Sequence, residues 1–397
     1  MRTTASLPFG RALPWLLFIT SVFFLNFVGR TIFSPLMVNI EHELGITHAR
    51  AGRFFLDVSI GYGVTLLLAG FATSRITHRQ AISLMPFVMG LTLFGLSLCH
   101  SLPLFEALLV IFGMCGGFYL PSGVSAVTSL VKPNAIGKAI SIHELAPNVS
   151  LVLAPLIAQA FLVTASWRAA LATLGVLSMI MGALFARFGR GGEFRSDPPS
   201  FARSREIMKR PVFWVLASVF CLALAGSIGP YSVLPLFLTD AHHLEPGAAN
   251  SLLSLSRLAT IFVAFAAGWL VDRIGSRTTI AVAMVLSGLC TVLIGTMHGG
   301  WLTAAVIAQP VFAACFFPAG FALLSRYFPA QQRSMAVSLI IPVAIVTGYG
   351  LAPALLGWLG DRQAFGTGFV VIGAAIAASP LVLPLMAREK APDPQEN

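Results

Sequence analysis

Charged residues are scarce in this sequence. Only 10% of its 397 residues are Asp, Glu, Lys or Arg, and 57% are hydrophobic, whereas a soluble domain carries about 25% charged residues. Apolar runs of roughly 20 residues, long enough to cross a bilayer, recur along the chain. The formal net charge of +10 would favour nucleic-acid binding in a soluble protein. Here the positive charge falls in short loops, so the expected partner is a lipid bilayer and not nucleic acid.

Other functional signals are also missing. The five cysteines lie in apolar runs without C-x-x-C spacing, so we expect packing residues and no metal site. No P-loop G-x-x-x-x-G-K-[ST] is present, which argues against ATP drive within this chain. No cluster of His, Asp or Glu marks an active site at either membrane face, so neither enzyme activity nor a cofactor is expected. The N-terminus leads directly into a span that is too long for a signal peptide.

Twelve apolar segments predict twelve membrane-spanning helices. Their approximate bounds are 13–40, 51–73, 80–99, 104–131, 138–164, 167–188, 211–238, 247–271, 277–297, 300–328, 334–359 and 365–387. The connections are short except for residues 189–210, which are rich in charge, glycine and proline and read as a linker. We therefore predict an N-terminal six-helix bundle over 1–188, a cytoplasmic linker over 189–210 and a C-terminal six-helix bundle over 211–397.

Two motifs recur at one spacing along the chain. Residues Gly268–Arg277 form a short charged turn between two apolar runs, and a related stretch occurs 198 residues earlier, at Gly70–Arg79. Leu153-Ala154-Pro155 recurs at the same spacing as Leu351-Ala352-Pro353. Matches at a constant offset indicate two related halves in the same order.

The lysines and arginines predict the orientation. Nineteen of the 25 fall in the termini and loops on the same side as the N-terminus, and four fall in loops on the other side. Because cytoplasmic loops carry an excess of Lys and Arg, this distribution places both termini and the linker in the cytoplasm. Two arginines, Arg30 and Arg257, lie within predicted spans.

The charged turn resembles the signature G-x-x-x-D-R-x-G-x-R/K-R/K of the major facilitator superfamily at Gly268, Asp272, Arg273, Gly275 and Arg277. The resemblance covers nearly the whole chain. It implies an all-α membrane protein with twelve transmembrane helices in two pseudo-symmetric six-helix bundles around a central cavity. It further implies secondary transport by alternating access, in a monomer of the inner membrane. It does not indicate a substrate.

The first-half copy of the signature departs from the family pattern. It has Ser74 where the family has Asp, and Thr77 where the family has Gly. The resemblance implies a cytoplasmic gate at these turns, to which we assign Asp272, Arg273 and Arg75. Because Ser74 cannot serve as the acidic latch, that role is expected to rest on Asp272.

Ionisable side chains inside spans are costly, at about 2.5–3.5 kcal/mol each on insertion scales, and they usually face a cavity or a partner. Arg30 and Arg257 each lie about ten residues from the outer end of a span, which is roughly 15 Å at 1.5 Å per residue. Both are therefore expected near the midplane, in opposite halves, where such transporters hold substrate.

Arginine binds carboxylates and phosphates with a planar fork that stays charged at any working pH. We hypothesise that Arg30 and Arg257 together bind an organic anion, assisted by Asn26 and Ser254, which share their helical faces. The alternative is structural: Arg30 pairs with Asp57 on the second span, and Arg257 binds backbone carbonyls.

The resemblance implies that the first, fourth, seventh and tenth spans line the cavity. Tyr119, Tyr231 and Phe317 lie on three of these spans, so we include them among candidate substrate-binding residues. Ordinary helix packing is the alternative for each of the three.

Asp57 lies within the second span, and His143 and Glu144 lie about five residues into the fifth; we include all three among the candidates for proton coupling or gating. A partly buried glutamate beside a histidine takes up a proton near neutral pH, which suits proton-coupled transport. The alternative is a gate in which Glu144 pairs with a loop lysine or arginine.

The function predicted from the sequence is secondary transport of a small, carboxylate-like organic anion. The alternative function is efflux of drugs or other small molecules by proton antiport.

Overall fold

The computed structural model describes the backbone of residues 7–196, 198 and 201–388. Side chains are described for the same residues except 201–203, 264–265, 330–331 and 387–388. Apart from one isolated bridge between Leu7 and Val131, this part of the chain is helical or in short turns.

The described chain forms two compact units. One comprises Met1–Leu44 with Asp57–Pro199, and the other comprises Gly45–Leu56 with Ser200–Asn397. Residues 45–56 thus cluster with the second unit. The division at 188 and 211 that the sequence suggests stays a prediction.

The helices through Phe188 include eight elements. They are α1 (Phe9–Thr31), α2 (Phe33–Leu44), α3 (His48–Thr73), α4 (His78–Leu98), α5 (Leu102–Leu130), α6 (Ile136–His143), α7 (Leu145–Thr164) and α8 (Trp167–Phe188). Glycines bring α4 and α8 together backbone to backbone. A Cβ added at Gly90 would lie 2.4 Å from the carbonyl oxygen of Gly175, and one at Gly182 would lie 2.7 Å from that of Ser83.

The remaining helices begin in the linker. They are α9 (Phe201–Met208), α10 (Pro211–Ser227), α11 (Gly229–Asp240), α12 (Pro246–Leu258), α13 (Thr260–Ile274), α14 (Ser276–Thr296), α15 (Gly299–Tyr327), α16 (Ala330–Ile345), α17 (Ala352–Gly360) and α18 (Phe365–Ala378). A π-helical turn, Val346–Leu351, joins α16 to α17, and a 3₁₀ stretch, Ser379–Arg388, follows α18.

The membrane-spanning character matches the prediction. Within the described residues, eleven helical segments are long and apolar enough to cross a bilayer, and a bent pair, 246–263 with 266–274, makes a twelfth when counted as one span. The first span is longer than predicted, at Phe9–Leu44 instead of 13–40. The prediction of a helical, multi-pass membrane fold is confirmed.

Several spans are interrupted near their middle by proline. The α1–α2 span breaks at Ile32 and the α10–α11 span breaks at Ile228. Proline has no N–H for the carbonyl four residues before it, and its ring clashes with that carbonyl. Pro35 therefore explains why α1 ends at Thr31, and Pro230 explains why α10 ends just after Gly226.

The two copies of the signature turn reverse the chain with different local backbone structures. Gly275 has φ +83°, a conformation that glycine adopts without strain. Thr77 instead has extended backbone and caps α4: its side chain accepts from the Gln80 N–H, and the Gln80 side chain accepts from the Thr77 N–H. This capping box explains how the first half turns without the family glycine.

Candidate functional site

Arg30 lies buried in the last turn of α1, 8% exposed. Its guanidinium carbon lies 4.5 Å from the ring centroid of Phe27 and 4.7 Å from that of Tyr62 on α3. Aromatic faces attract cations by about 0.5–2 kcal/mol, and the C-terminal end of a helix also favours positive charge. Asp57, on the same helix as Tyr62, is buried to the same degree, 8% exposed.

Asn26 precedes Arg30 by one helical turn and is 1% exposed. Neither its amide nitrogen nor its amide oxygen has a hydrogen-bond partner within the described residues. A buried polar group left unsatisfied costs about 1–3 kcal/mol. The arrangement therefore leaves the NH2 group and the carbonyl oxygen of this amide unpaired, one helical turn before Arg30.

His143 is fully buried beside an earlier turn of α1. Its ring stacks on Phe23 with centroids 4.4 Å apart, and the Phe23 ring in turn stacks on Tyr119 at 5.2 Å. The Tyr119 hydroxyl donates to the Ile19 carbonyl at 2.9 Å and lies 3.4 Å from His143 Nε2. Tyr119, a predicted substrate-binding residue, thus has its hydroxyl occupied by backbone.

Glu144 follows His143 at the break between α6 and α7. One of its carboxylate oxygens lies 3.5 Å from His143 Nδ1, and its side chain is 50% exposed. An exposed carboxylate beside a buried imidazole is suited to passing a proton between them. Seven residues separate Phe23 from Arg30, so this pair lies about 10 Å along α1 from the arginine.

Arg257 lies in the last turn of α12 and is 4% exposed. Its Nη2 donates to the Ser227 carbonyl at 2.8 Å, and its guanidinium carbon lies 4.9 Å from the ring centroid of Tyr231. Its Nε has no hydrogen-bond partner within the described residues. Ser254, one turn earlier, is also buried. Arg257 therefore makes the backbone contact that is expected if its role is structural. That contact uses only part of the guanidinium group.

The carbonyl that Pro230 leaves without a helical partner is bound by a side chain. Gln309 Nε2 donates to the Gly226 carbonyl at 2.7 Å and also lies 3.1 Å from Ser287 Oγ and 3.3 Å from Thr291 Oγ1. Gln309 and Arg257 thus hold successive carbonyls at the break between α10 and α11.

The two arginines occupy similar surroundings in their separate units. Each lies in the last turn of a helix that is interrupted within its span, and each lies over a tyrosine ring of a neighbouring span. In the first unit Arg30 is on the first span and Tyr62 on the second. In the second unit the order is reversed, with Tyr231 on the seventh span and Arg257 on the eighth.

The remaining predicted residues lie elsewhere. Phe317 is half-buried and packs edge-on against Phe316 with centroids 5.6 Å apart. Arg75, Asp272 and Arg273 are exposed at the two signature turns. The Arg273 guanidinium lies over the Trp269 ring at 4.8 Å, and no ion pair involves Asp272 within the described part of the chain. The gate assignment stays a prediction.

Sequence reasoning missed Tyr62 and Gln309. The scarcity of tyrosine was a signal for Tyr62, because the chain has only five tyrosines. In the structure three of them, Tyr62, Tyr231 and Tyr327, contact an arginine guanidinium through the ring face. A buried glutamine in an apolar run is a similar signal, because a buried amide must find partners. Within the described residues, no group of three or more His, Cys, Asp or Glu is placed to hold a metal ion.

Sequence comparison finds relatives along nearly the whole chain. The profile of the Major Facilitator Superfamily matches residues 19–247 and 216–397. A probable hexose phosphate transport protein of Chlamydia pneumoniae is 22% identical over 403 residues, covering 91% of this chain and 84% of its own. The membrane sensor protein UhpC of Escherichia coli is 22% identical over 360 residues, covering 82% and 80%.

Structural comparison finds the same architecture in solved structures. A bacterial homolog of the human lysosomal transporter Spinster, in an inward-facing and occupied conformation, covers 98% of this chain and 100% of its own. The TM-score is 0.80 at 16% identity. This likeness concerns the fold alone.

Proposed function

The chain belongs to the Major Facilitator Superfamily. We propose that it carries a small organic anion across the membrane by alternating access. It is a multi-pass membrane transporter and not an enzyme. The distribution of arginine and lysine supports an orientation in which both termini lie in the cytoplasm. The membrane proposed for this transporter is the inner membrane. A monomer suffices for this mechanism.

One observation carries the anion proposal: each unit buries one arginine in the middle of a span. Arg30 is 8% exposed and Arg257 is 4% exposed. Burying a cation in a membrane protein is expensive, so such residues are retained for a function or a partner. The Arg257 fork still has its Nε without a protein partner in the described chain, and Asn26 adds a neutral donor and acceptor beside Arg30.

The chemistry of two guanidinium groups favours a substrate with about two negative charges. A phosphate monoester carries about −1.5 to −2 at neutral pH, and its oxygens match the arginine fork. A dicarboxylate offers the same charge with the same planar pairing. The probable hexose phosphate transport protein among the relatives supports testing phosphorylated sugars first.

The test is a thermal-shift screen of the purified protein against hexose phosphates, mono- and dicarboxylates, neutral sugars and cationic dyes. The proposal expects anions, and not neutral sugars or dyes, to raise the melting temperature of the wild type. It also expects Arg257→Lys and Arg30→Lys to lose that rise, while Arg326→Lys, at an exposed arginine, keeps it. A shift with dyes alone would support the alternative of drug efflux.

Proton coupling is proposed for the His143–Glu144 pair, because the two side chains lie 3.5 Å apart and the Glu144 carboxylate is half-exposed. In liposomes, Glu144→Gln is expected to keep substrate exchange and to lose uptake driven by a proton gradient. Asn148→Ala, which removes the nearby amide that donates to the Glu144 carbonyl, is the matched control. Uphill uptake by Glu144→Gln at the wild-type rate would exclude the proton role.

Ligand sensing is the second candidate function, because one relative is named a membrane sensor protein. A sensor of this fold binds the anion without carrying it in quantity. Anion-dependent thermal shifts combined with no uptake or exchange in liposomes would favour sensing over transport.

A further inference from the structure

A surface groove runs along the first unit between α4 and α8. It has a volume of about 740 Å³ and is lined by Leu84 and Phe87 of α4 and by Gly182, Ala183 and Ala186 of α8. The groove exists because α8 presents small side chains where the two backbones meet at Gly182. Thr77, Gln80 and Ser83 add polar groups to the lining, so the groove is mainly but not entirely apolar.

The walls continue an exposed apolar surface. Large hydrophobic side chains at helical spacing are 38–63% exposed on α4 and 39–55% exposed on α8. They are Leu84, Phe87, Leu91, Phe94 and Leu98 on α4, and Val176, Leu177, Ile180, Leu184 and Phe188 on α8. In a membrane protein such a face contacts acyl chains, so the groove opens towards lipid.

A basic hollow adjoins one end of the groove. Its volume is about 490 Å³, and its lining includes Trp15, Arg79, Arg187, Arg190 and Glu193. Arg79 and Glu193 line the groove as well, so the two spaces meet at these residues. The positive-inside distribution assigns this end to the cytoplasmic surface, where anionic headgroups lie.

The arginines of the hollow are held in place by the protein. Arg79 Nη2 donates to the Ala186 carbonyl at 3.0 Å. The Arg190 guanidinium carbon lies 5.0 Å from the Trp15 ring centroid, and that of Arg187 lies 5.3 Å from the ring of Phe188. Arg187 and Arg190 are exposed.

The one acidic group in the hollow is partly engaged. One Glu193 carboxylate oxygen accepts from the Gly191 N–H at 2.9 Å. Three arginines against one glutamate leave the hollow positively charged, and a tryptophan at its rim is typical of the membrane–water interface.

We propose that the hollow and groove together bind one anionic phospholipid, with the phosphate among Arg79, Arg187 and Arg190 and an acyl chain along α4 and α8. Charge complementarity and the apolar groove beside it select this occupant: a soluble phosphate would use the arginines but not the groove, and a zwitterionic lipid would use the groove but not the net charge. The site lies apart from the substrate residues proposed above and is independent of the transported species.

The test is native mass spectrometry of the full chain in neutral detergent, titrated with phosphatidylglycerol and with phosphatidylcholine of the same acyl chains. The wild type is expected to bind phosphatidylglycerol preferentially. Each arginine near the surface contributes about fivefold to the affinity for anionic lipid, so Arg187→Ala/Arg190→Ala is expected to lose about thirtyfold. The control is Arg205→Ala/Lys209→Ala, which removes two exposed charges from the linker region.

A second variant tests the groove. Ala183→Trp fills it from an exposed position on α8 and is expected to weaken phosphatidylglycerol binding while leaving the melting temperature within about a degree of the wild type. Three results would overturn the proposal: an unchanged preference in the arginine double variant, an equal loss in the control, or displacement of the lipid by equimolar inorganic phosphate, which would indicate a soluble-phosphate site.

Discussion

Replacing Arg257 with lysine separates a substrate-binding arginine from a structural one. Lysine keeps the positive charge but lacks the planar fork. In the structure, the Arg257 guanidinium donates to the Ser227 carbonyl at 2.8 Å and lies 4.9 Å from the Tyr231 ring centroid. A charge-assisted hydrogen bond contributes about 1.5–3 kcal/mol. If the free part of the fork binds the anion, Arg257→Lys therefore weakens anion affinity about 10- to 150-fold.

In the assay, the purified protein is titrated with the anion that gives the largest thermal shift, and the melting temperature is measured at each concentration. The ligand-free melting temperature is read first, because loss of the Ser227 contact lowers it in either interpretation. The ligand-induced shift is read second, at several anion concentrations, and yields the change in affinity. Arg326→Lys, at an exposed site, controls for the substitution itself.

A purely structural role for Arg257 predicts a different result. If Arg257 only holds the break between α10 and α11, the variant melts at a lower temperature without ligand but binds the anion as tightly as Arg326→Lys does. An equal affinity in both variants would remove Arg257 from the substrate site.

Three further predictions concern other buried and clustered groups. Asn26→Leu is expected to raise ligand-free stability by about 1–3 kcal/mol, because it removes two unsatisfied amide atoms, and to weaken anion binding; a lower melting temperature would contradict this. Gln309→Leu is expected to lower stability by about 1–3 kcal/mol, because it leaves the Gly226 carbonyl without its partner, and urea or thermal unfolding would measure it. Burial, with nearby His298 and His243, lowers the pKa of His242. The unfolded chain therefore binds this proton more readily than the folded chain as pH falls below about 6.5, which lowers the stability of the folded state. Between pH 7 and pH 5 the melting temperature of His242→Gln should fall less than that of the wild type.

The fold was accessible from sequence because its main signal is local. Apolar runs of membrane length and one charged motif, Gly268–Arg277, predict a helical carrier without knowledge of any tertiary contact. Prolines inside the spans are also visible in the sequence, and proline bends a helix. What they could not reveal is which carbonyls stay unpaired, since Gly226 receives its partner from Gln309, 83 residues away.

Part of the candidate site could be predicted from the sequence. Arg30 and Arg257 stand out from sequence because charge inside a span is rare, and the structure buries both. The tyrosine rings over them were not predicted together, because Tyr62 and Tyr231 come from neighbouring helices whose rotation the sequence does not specify. Tyr119 was interpreted as a cavity residue, but its hydroxyl binds the Ile19 carbonyl, a contact that depends on the packing of α1 against α5.

The proposal that Arg30 and Arg257 bind one anion together is tested most directly by a double-mutant cycle. Anion affinity is measured for the wild type, Arg30→Lys, Arg257→Lys and the double variant. Residues that act on one ligand couple by about 0.5–3 kcal/mol, whereas independent sites add within about 0.5 kcal/mol. If the two arginines share one anion, the double variant loses less affinity than the sum of the single losses, by at least about 1 kcal/mol. Strict additivity, or full affinity in either single variant, would contradict it.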